Sequence, residues 1–354
     1  MPIIAIEEHW SMPELTAALH ALPHPDESLV LGETDDNRER SEDLEAGRIA
    51  AMDAQGIDLS VLALAPPGTQ SLPPGEALAL SRAANDLAAA AVARNPARLR
   101  SLSTLPMSSP KDAPTELERA AGMGHVGTMV YGRAGELLLD DPVYDDLFGA
   151  ASELGQPVFI HPQLPSRAVR DASYRGFGPM TELALATFGW GWHMDTATAA
   201  LRLILRGTFD RHPDLQVVLG HWGEGLLFWL DRADSIARIA GLQRSVSDYV
   251  RSNFHITASG MLNPTHLQHA LSVTSVDRLI FATDYPFQRP TREEIRSFLG
   301  HFSSEAERRQ FSSGNAASLF GLARCGTTGP DATGVDNADS PVKVFDGRTK
   351  VTVR

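Results

Sequence analysis

Short apolar runs alternate with longer amphipathic stretches along the chain. The spacing of apolar residues predicts helices over 44–55, 75–95, 111–122, 142–154, 197–211, 225–241, 264–273, 292–299 and 304–319. Runs rich in Val, Ile, Leu and Phe, as in buried parallel strands, precede the first eight of these helices, and the ninth helix would close the fold. The runs lie at 3–9, 59–66, 100–105, 127–132, 157–162, 216–221, 254–260 and 279–286.

Eight repeats of a strand followed by a helix predict an α/β fold with a parallel sheet, and most directly a (β/α)8 barrel of the TIM type. We expect this barrel to form a single domain over residues 1–324. An open doubly wound sheet is the alternative, although no G-x-G-x-x-G motif follows the first strand.

Two connections are long, residues 10–43 after the first strand and residues 163–196 after the fifth. Both follow the carboxyl ends of strands, where barrel enzymes build their sites, so we expect them to shape a substrate pocket or an oligomer contact. The tail, residues 325–354, is polar and predicts a flexible terminus. Weak alternation over 342–353 would also suit a short strand or a contact with a neighbouring subunit.

Composition and charge exclude several classes of partner and of metal site. Of the 354 residues, 43% are hydrophobic and 21% are charged, the balance of a globular protein. The net charge of −13 disfavours nucleic acid and anionic membranes as partners. The single cysteine, Cys325, excludes an internal disulfide framework and a cysteine-based zinc cluster. The amino-terminal residues turn acidic too soon for a signal peptide, and no apolar stretch approaches the ~20 residues of a membrane span, so we expect a cytoplasmic protein.

Potential metal ligands fall at the ends of four predicted strands. Glu7 and His9 end the first strand, two residues apart, so a strand points both to one face. His161, His221 and Asp284 end the fifth, sixth and eighth strands. One such residue alone would be an ordinary loop or capping residue. Five at the same end of a barrel predict a shared site at its mouth.

Glu7, His9, His161 and Asp284 together would suit a divalent metal ion. Two neutral imidazoles and two carboxylates balance a 2+ charge and leave coordination positions open for a substrate. This donor set favours zinc, with manganese and magnesium as alternatives.

His221 and Glu224 lie three residues apart at a predicted strand-to-helix junction. In the first turn of that helix, Glu224 would hydrogen-bond His221 and fix its tautomer or raise its basicity. The alternative is that Glu224 only complements the helix dipole.

Four motifs carry a family resemblance: Ala-Ile-Glu-Glu-His-Trp at 5–10, Ile-His-Pro at 160–162, Gly-His-Trp-Gly-Glu-Gly at 220–225 and Thr-Asp-Tyr-Pro-Phe at 283–287. In this order they resemble the amidohydrolase superfamily, in its branch of metal-dependent, non-oxidative hydroxybenzoate decarboxylases. The γ-resorcylate and 2,3-dihydroxybenzoate decarboxylases are the members resembled most, and the aminocarboxymuconate semialdehyde decarboxylases are more distant. The resemblance spans residues 4–322.

The resemblance assigns roles to several residues. It implies that Glu7, His9, His161 and Asp284 bind the metal and that His221 and Glu224 form a second catalytic pair. It further implies three substrate-binding residues: Arg232, Phe287 and Trp10.

Of these three, Arg232 would reach the substrate from an adjacent subunit of a homotetramer or dimer. From its neighbours alone it would be an exposed helix arginine paired with Asp231 or Asp234. Phe287 would pack on the substrate ring, although filling the core would also explain it. Trp10 stands where phenylalanine is common, and His193 lies in a stretch that does not match the family.

The activity implied is reversible decarboxylation of an ortho-hydroxy aromatic acid, which releases CO2 and a phenol without an organic cofactor. Asp284 is the candidate proton donor, and His221 would handle the phenolic proton or hold the carboxylate. The sequence leaves open whether these two roles are exchanged.

Two alternatives differ in class. The same site would serve a metal-dependent hydrolase of a lactone or amide. The Glu-x-His opening and the lack of a lysine near a strand end count against it. The other alternative is a non-catalytic protein that binds metal or phenolic ligands, and the intact ligand set argues against it.

Overall fold

Eight parallel segments form the centre of the molecule, which is described here for residues 1–322 of a computed structural model. The predictions for the tail, residues 325–354, lie outside the described residues. The barrel strands are β1 (Ile4–Trp10), β2 (Leu59–Leu64), β3 in two pieces (Leu99–Ser101 and Ser103–Thr104), β4 (Thr128–Tyr131), β5 (Val158–His161), β6 (Val217–Leu219), β7 (Phe254–Thr257) and β8 (Leu279–Ile280).

These segments form a closed ring. The first piece of β3 pairs with β2, which pairs with β1, and the second piece begins a sheet that runs in order from β4 to β8. Backbone hydrogen bonds join β1 to the residues that follow β8. The amide of Ile6 donates to the Phe281 carbonyl at 3.2 Å, and the amide of His9 donates to the Tyr285 carbonyl at 2.6 Å. The prediction of a (β/α)8 barrel is confirmed.

Helices surround the barrel and also fill both long connections. They are α1 (Pro13–His20), α2 (Leu29–Glu33), α3 (Asn37–Glu42), α4 (Ala46–Gln55), α5 (Pro74–Arg94), α6 (Ala113–Gly122), α7 (Asp145–Glu153), α8 (Arg167–Ser173), α9 (Pro179–Ala186), α10 (Gly191–Leu205), α11 (Thr208–Arg211), α12 (Leu230–Ile239), α13 (Val246–Asn253), α14 (Pro264–Val273), α15 (Arg292–Leu299), α16 (Glu305–Arg309) and α17 (Asn315–Leu319). Short 3-10 turns cover Pro142–Tyr144, Leu226–Trp229 and Val276–Arg278, and a π-helical turn, Gln310–Gly314, joins α16 to α17.

Several elements differ from the predicted ones. Helix α10 begins at Gly191, six residues before the predicted start, and α13 was not predicted. The apolar positions of α13 are few, and a capping box at Ser245 and Asp248 starts the helix instead. A two-stranded antiparallel hairpin, Arg133–Ala134 with Leu137–Leu138, also follows β4. Its strands of two residues are too short to give a hydrophobic pattern.

Two large hydrophobic clusters form the core of the barrel, and a third cluster of three buried residues, Leu164, Leu183 and Ala186, lies in the 163–196 connection. The larger one fills the layer between strands and helices, and the smaller one contains strand residues such as Ile6 and Val61. Phe320 belongs to the smaller cluster and lies against Gly127, just before β4, so the segment after α17 closes the barrel at its amino-terminal end. The carboxyl ends of the strands are left for the site. No helix within residues 1–322 has the length and apolar character required to cross a membrane.

Candidate active site

The end of β1 is bent by a β-bulge at Glu7. Ile6 pairs with Val61 and Glu8 pairs with the next residue of β2, so Glu7 has no partner in the register. Its φ of 71° lies in the left-handed region. In a regular strand Glu7 would face away from the barrel axis when Ile6 faces it. The bulge turns the Glu7 side chain toward the axis, beside His9.

Glu7, His9, His161 and Asp284 meet at the mouth of the barrel, and we call these four residues the cage. One ligand atom from each lies within 4.8 Å of the others. His9 Nε2 is 3.2 Å from Asp284 Oδ1, and His161 Nε2 is 3.6 Å from Glu7 Oε1. The ring of His161 is oriented by its Nδ1, which donates to the Pro162 carbonyl at 2.8 Å, so Nε2 offers a lone pair to the cage.

The electrostatics of the cage fit a divalent cation. Burial raises the pKa of Glu7 to about 8 and that of Asp284 to about 7, and it lowers the pKa of His9 to about 3. Within residues 1–322, Glu7 Oε1 and His161 Nε2 are buried without a hydrogen-bond partner. Two neutral imidazoles and two crowded carboxylates would all be satisfied by one divalent ion.

A serine and a threonine near the end of β7 hold the other oxygen of Glu7. Ser259 Oγ donates to Glu7 Oε2 at 2.5 Å, and Thr257 Oγ1 donates to the same atom at 3.0 Å. Ser259 Oγ also accepts from the His221 amide at 2.8 Å. Neither residue was predicted. The sequence signal was a polar residue at the end of a strand that supplied no other candidate.

Glu8 and Arg48 fix the backbone behind the cage. The carboxylate of Glu8 accepts from the amide and the hydroxyl of Thr283, at 3.0 and 2.6 Å. Arg48 Nη2 donates to the His9 carbonyl at 2.7 Å. These bonds tie the end of β1 to the residue that precedes Asp284, so ligands from the first and last strands are held in register.

His221 and Glu224 form the predicted pair. His221 Nδ1 lies 2.9 Å from Glu224 Oε1, and its Nε2 lies 4.0 Å from Asp284 Oδ2. Burial acts to lower the pKa of His221, but the carboxylates of Glu224, Glu7 and Asp284 raise it to about 10. His193, which was left outside the predicted site, contacts the other oxygen of Glu224 through its Nδ1 at 2.5 Å.

Backbone strain is concentrated here. Seven non-glycine residues within the described part of the chain have a positive φ, and six of them lie in or next to this site. The six are Glu7, His221, Trp222, Glu224, Ser259 and Asp284. Such conformations persist where the surrounding structure fixes them, and they cluster at functional sites.

A cavity of about 430 Å³ opens over the cage and the His221–Glu224 pair. Strand ends contribute His161, His221, Ser259 and Asp284 to its lining. Both long connections also line it: the first with residues of the α2–α3 region, and the second with Phe188, Trp192 and His193. Phe287 lines it as well, with its ring centroid 5.6 Å from that of His9.

Two predicted substrate-binding residues lie outside this cavity. The prediction for Trp10 was wrong: the side chain is 1% exposed and belongs to the larger hydrophobic cluster between the barrel and its helices. Alternation along β1 explains this, because Trp10 follows His9 and therefore points to the opposite side of the sheet. Arg232 is exposed on α12 and does not line the cavity of its own chain.

Comparison with known proteins places this geometry in context. The family model described as amidohydrolase matches residues 15–322. γ-Resorcylate decarboxylase of Rhizobium radiobacter is 32% identical over 336 residues, which cover 90% of this chain and 98% of that protein.

Two solved structures of decarboxylases are also similar to this chain. 5-Carboxyvanillate decarboxylase from Sphingomonas paucimobilis is similar with a TM-score of 0.83 at 32% identity, covering 91% of this chain and 99% of the other. A dihydroxybenzoic acid decarboxylase from Polaromonas sp. JS666, with bound manganese and the inhibitor 2-nitroresorcinol, gives 0.77 at 31% identity, covering 91% and 97%.

Proposed function

The chain belongs to the amidohydrolase family, and we propose that it is a metal-dependent, non-oxidative decarboxylase of an ortho-hydroxy aromatic carboxylic acid. The reaction releases CO2 and a phenol and is reversible. The decarboxylase activity in the names of its relatives supports this reaction class.

The observation that carries the proposal is the position of Asp284 between two groups. Its Oδ1 faces the cage at 3.2 Å from His9, while its Oδ2 lies 4.0 Å from His221 on the cavity side. A carboxyl group in this place can take part in metal binding through one oxygen and move a proton at the other.

We assign the metal to the cage of Glu7, His9, His161 and Asp284. The donor set suits zinc or manganese, and the manganese in the Polaromonas structure supports the latter. When bound, the ion would supply the positive charge that favours a phenolate and would help to orient an ortho-hydroxy acid.

The residues of the chain then divide the reaction. Asp284 Oδ2 delivers a proton to the ring carbon that bears the carboxylate. The bond to the carboxylate then breaks, and its electron pair returns to the ring as CO2 leaves. His221, which the carboxylates around it keep protonated, holds the substrate carboxylate through Nε2 until CO2 leaves. Phe287 and Trp192 line the cavity and offer aromatic surfaces on which the substrate ring packs.

We also propose that Arg232 completes the cavity of a neighbouring copy in a homo-oligomer, a dimer or tetramer. Within residues 1–322, no arginine or lysine lines the cavity, although the substrate is an anion and the protein carries a net charge of −13. Arg232 is exposed close to Phe228 and Trp229, which are 69% and 59% exposed, so a second copy would cover apolar surface at this point.

A substrate panel tests the reaction. Metal-reconstituted protein is incubated with hydroxybenzoic and hydroxynaphthoic acids, and both CO2 and phenol are measured. We expect turnover of acids with an ortho-hydroxyl and none of para-hydroxybenzoate, whose phenolic oxygen lies across the ring from the carboxylate. Lactone hydrolysis without CO2 release would instead show a hydrolase.

Mass measurement in solution and a mixing experiment test the assembly. We expect an oligomer, an increased KM in Arg232→Ala, and partial recovery of activity when Arg232→Ala and Asp284→Asn subunits exchange. Full activity in a monomer would show that the site is complete within one chain.

A further inference from the structure

The carboxylate of Glu224 is held from two sides. His221 Nδ1 contacts Oε1 at 2.9 Å, and His193 Nδ1 contacts Oε2 at 2.5 Å. The Glu224 side chain is fully buried, and the side chains of His193 and His221 are 18% and 10% exposed. The two rings lie 4.7 Å apart between centroids.

We propose that His193 is a positioning residue for the decarboxylation. By fixing the second oxygen of Glu224, it keeps that carboxylate aimed at His221 and therefore keeps His221 Nε2 turned toward Asp284. The kinetic part of this inference rests on the proposed function, whereas the hydrogen-bond arrangement rests on the geometry alone.

The chemistry of the three groups requires His193 to be a donor. Burial acts to raise the pKa of Glu224, but the charge of His221 and the hydrogen bonds from His193 and His221 lower it to about 2. An ionised carboxylate only accepts hydrogen bonds, so both Nδ1 atoms carry hydrogens. Without His193, Oε2 would be a buried charged oxygen with no partner from that side, and the carboxylate would rotate toward water.

The other ring nitrogen of His193 is also held. His193 Nε2 has two polar neighbours, the Trp192 indole Nε1 at 3.2 Å and the Phe188 carbonyl oxygen at 3.0 Å. It accepts from the indole when it carries no hydrogen and donates to the carbonyl when it carries one. Phe188 and Trp192 line the cavity. His193 therefore links the aromatic wall of the 163–196 connection to the catalytic pair.

The three side chains have a rival use, because their ligand atoms lie within 4.8 Å of one another and would suit a second metal ion. The hydrogen-bond interpretation is preferred, since each histidine already contacts a different oxygen of Glu224. Metal content separates the two.

Two substitutions isolate the donor. His193→Asn keeps an N–H close to the place of Nδ1 but loses the contacts of Nε2, and His193→Ala removes both. Thr198→Ala, exposed on the same helix, is the control for disturbance of α10. We expect kcat to fall roughly 10–100-fold in His193→Ala, to recover most of the way in His193→Asn, and to be unchanged in Thr198→Ala.

Histidine 15N NMR of the metal-reconstituted protein gives a readout independent of turnover. We expect a slowly exchanging His221 Nδ1–H signal in wild type and His193→Asn, and its loss or displacement in His193→Ala. Equal kcat and unchanged His221 signals in all variants would overturn the proposal, as would equal losses in the Asn and Ala variants. A second metal equivalent lost in His193→Ala would make His193 a ligand instead. If the wild type decarboxylates no hydroxybenzoate, the proposed function fails, while the NMR comparison still decides the role of His193.

Discussion

The strand ends and the 163–196 connection build opposite parts of the same cavity in different ways. The cage residues stand on a ladder of parallel strands, and Glu7, His9 and His161 are buried to 2% exposure or less. The connection instead presents Phe188, which is 57% exposed, and the half-buried Trp192. Chemistry that depends on sub-ångström geometry therefore lies on the rigid part, and the wall that meets the substrate lies on an added segment.

The largest effect is expected at the rigid side. Asp284→Asn should lower kcat roughly 10²–10⁴-fold, because an amide cannot deliver the proton. Circular dichroism should show a retained fold, and elemental analysis should show how much metal remains, so loss of chemistry is separated from loss of the ion. A metal-loaded variant that turns over at the wild-type rate would remove Asp284 from the mechanism.

The difference between the strand ends and the 163–196 connection also explains which site residues can be predicted from the sequence. Polar residues at strand ends converge wherever a parallel barrel forms, so the positions of His161, His221 and Asp284 at the mouth follow from the amino-acid sequence alone. The resemblance suggests Trp10 as a substrate-binding residue, but Trp10 follows His9 and therefore points to the other side of the sheet. The bulge at Glu7, not regular alternation from Ile6, turns His9 toward the mouth.

Two other features have weak sequence signals. The bulge that re-aims Glu7 depends on the register with β2, which a single strand does not reveal. His193 enters the site only because α10 begins at Gly191, and a helix that opens with glycine and tryptophan is hard to recognise from propensity. Ser259 likewise gains its role from the carboxylate it meets across the barrel.

The next largest effect is expected when the Ser259 hydroxyl, which holds Glu7 in the cage, is removed. Ser259→Ala removes the 2.5 Å donor to Glu7 Oε2 and should weaken metal affinity roughly 10–100-fold. Competition with a chromogenic chelator measures this directly. Ser103→Ala, in β3 with its hydroxyl on the Gly127 carbonyl, is a matched buried control. Equal affinities in wild type and Ser259→Ala would show that the hydroxyl does not support the cage.

A smaller effect, on KM, is expected for the side of the cavity that the 163–196 connection forms. Phe188→Ala should raise KM about 5-fold with little change in kcat, which corresponds to about 1 kcal/mol of partly buried aromatic surface. Phe177→Ala is the control, since Phe177 is 59% exposed in the same connection and does not line the cavity. A fall in kcat at constant KM would place Phe188 with the catalytic residues and weaken the division between the two regions.

The smallest effect concerns how α10 is anchored. The Asp140 carboxylate, 3% exposed, accepts from Arg202 Nε at 2.7 Å and from Arg206 Nη2 at 3.0 Å, and so ties the segment after the β4 hairpin to α10 and the residue that follows it. The two arginine side chains are 40% and 48% exposed, so solvent screens the pairs, and Asp140→Asn should cost about 1 kcal/mol of unfolding free energy at pH 7.

The loss of unfolding free energy in Asp140→Asn should depend on pH, and the pKa of Asp140 sets the direction of that dependence. Burial acts to raise the pKa of Asp140, but Arg202 and Arg206 hold it below its ordinary value of 3.8. The contribution is therefore present above that ordinary value and disappears as the pH falls through the lower pKa of the folded protein. Urea unfolding of wild type and variant should show a difference at pH 7 that narrows in acid. Asp145→Asn, whose pair with Arg211 is exposed on both sides, should lose less at pH 7. A larger loss in Asp145→Asn would show that burial of Asp140 does not strengthen its ion pairs, and that α10 is anchored mainly by its apolar face.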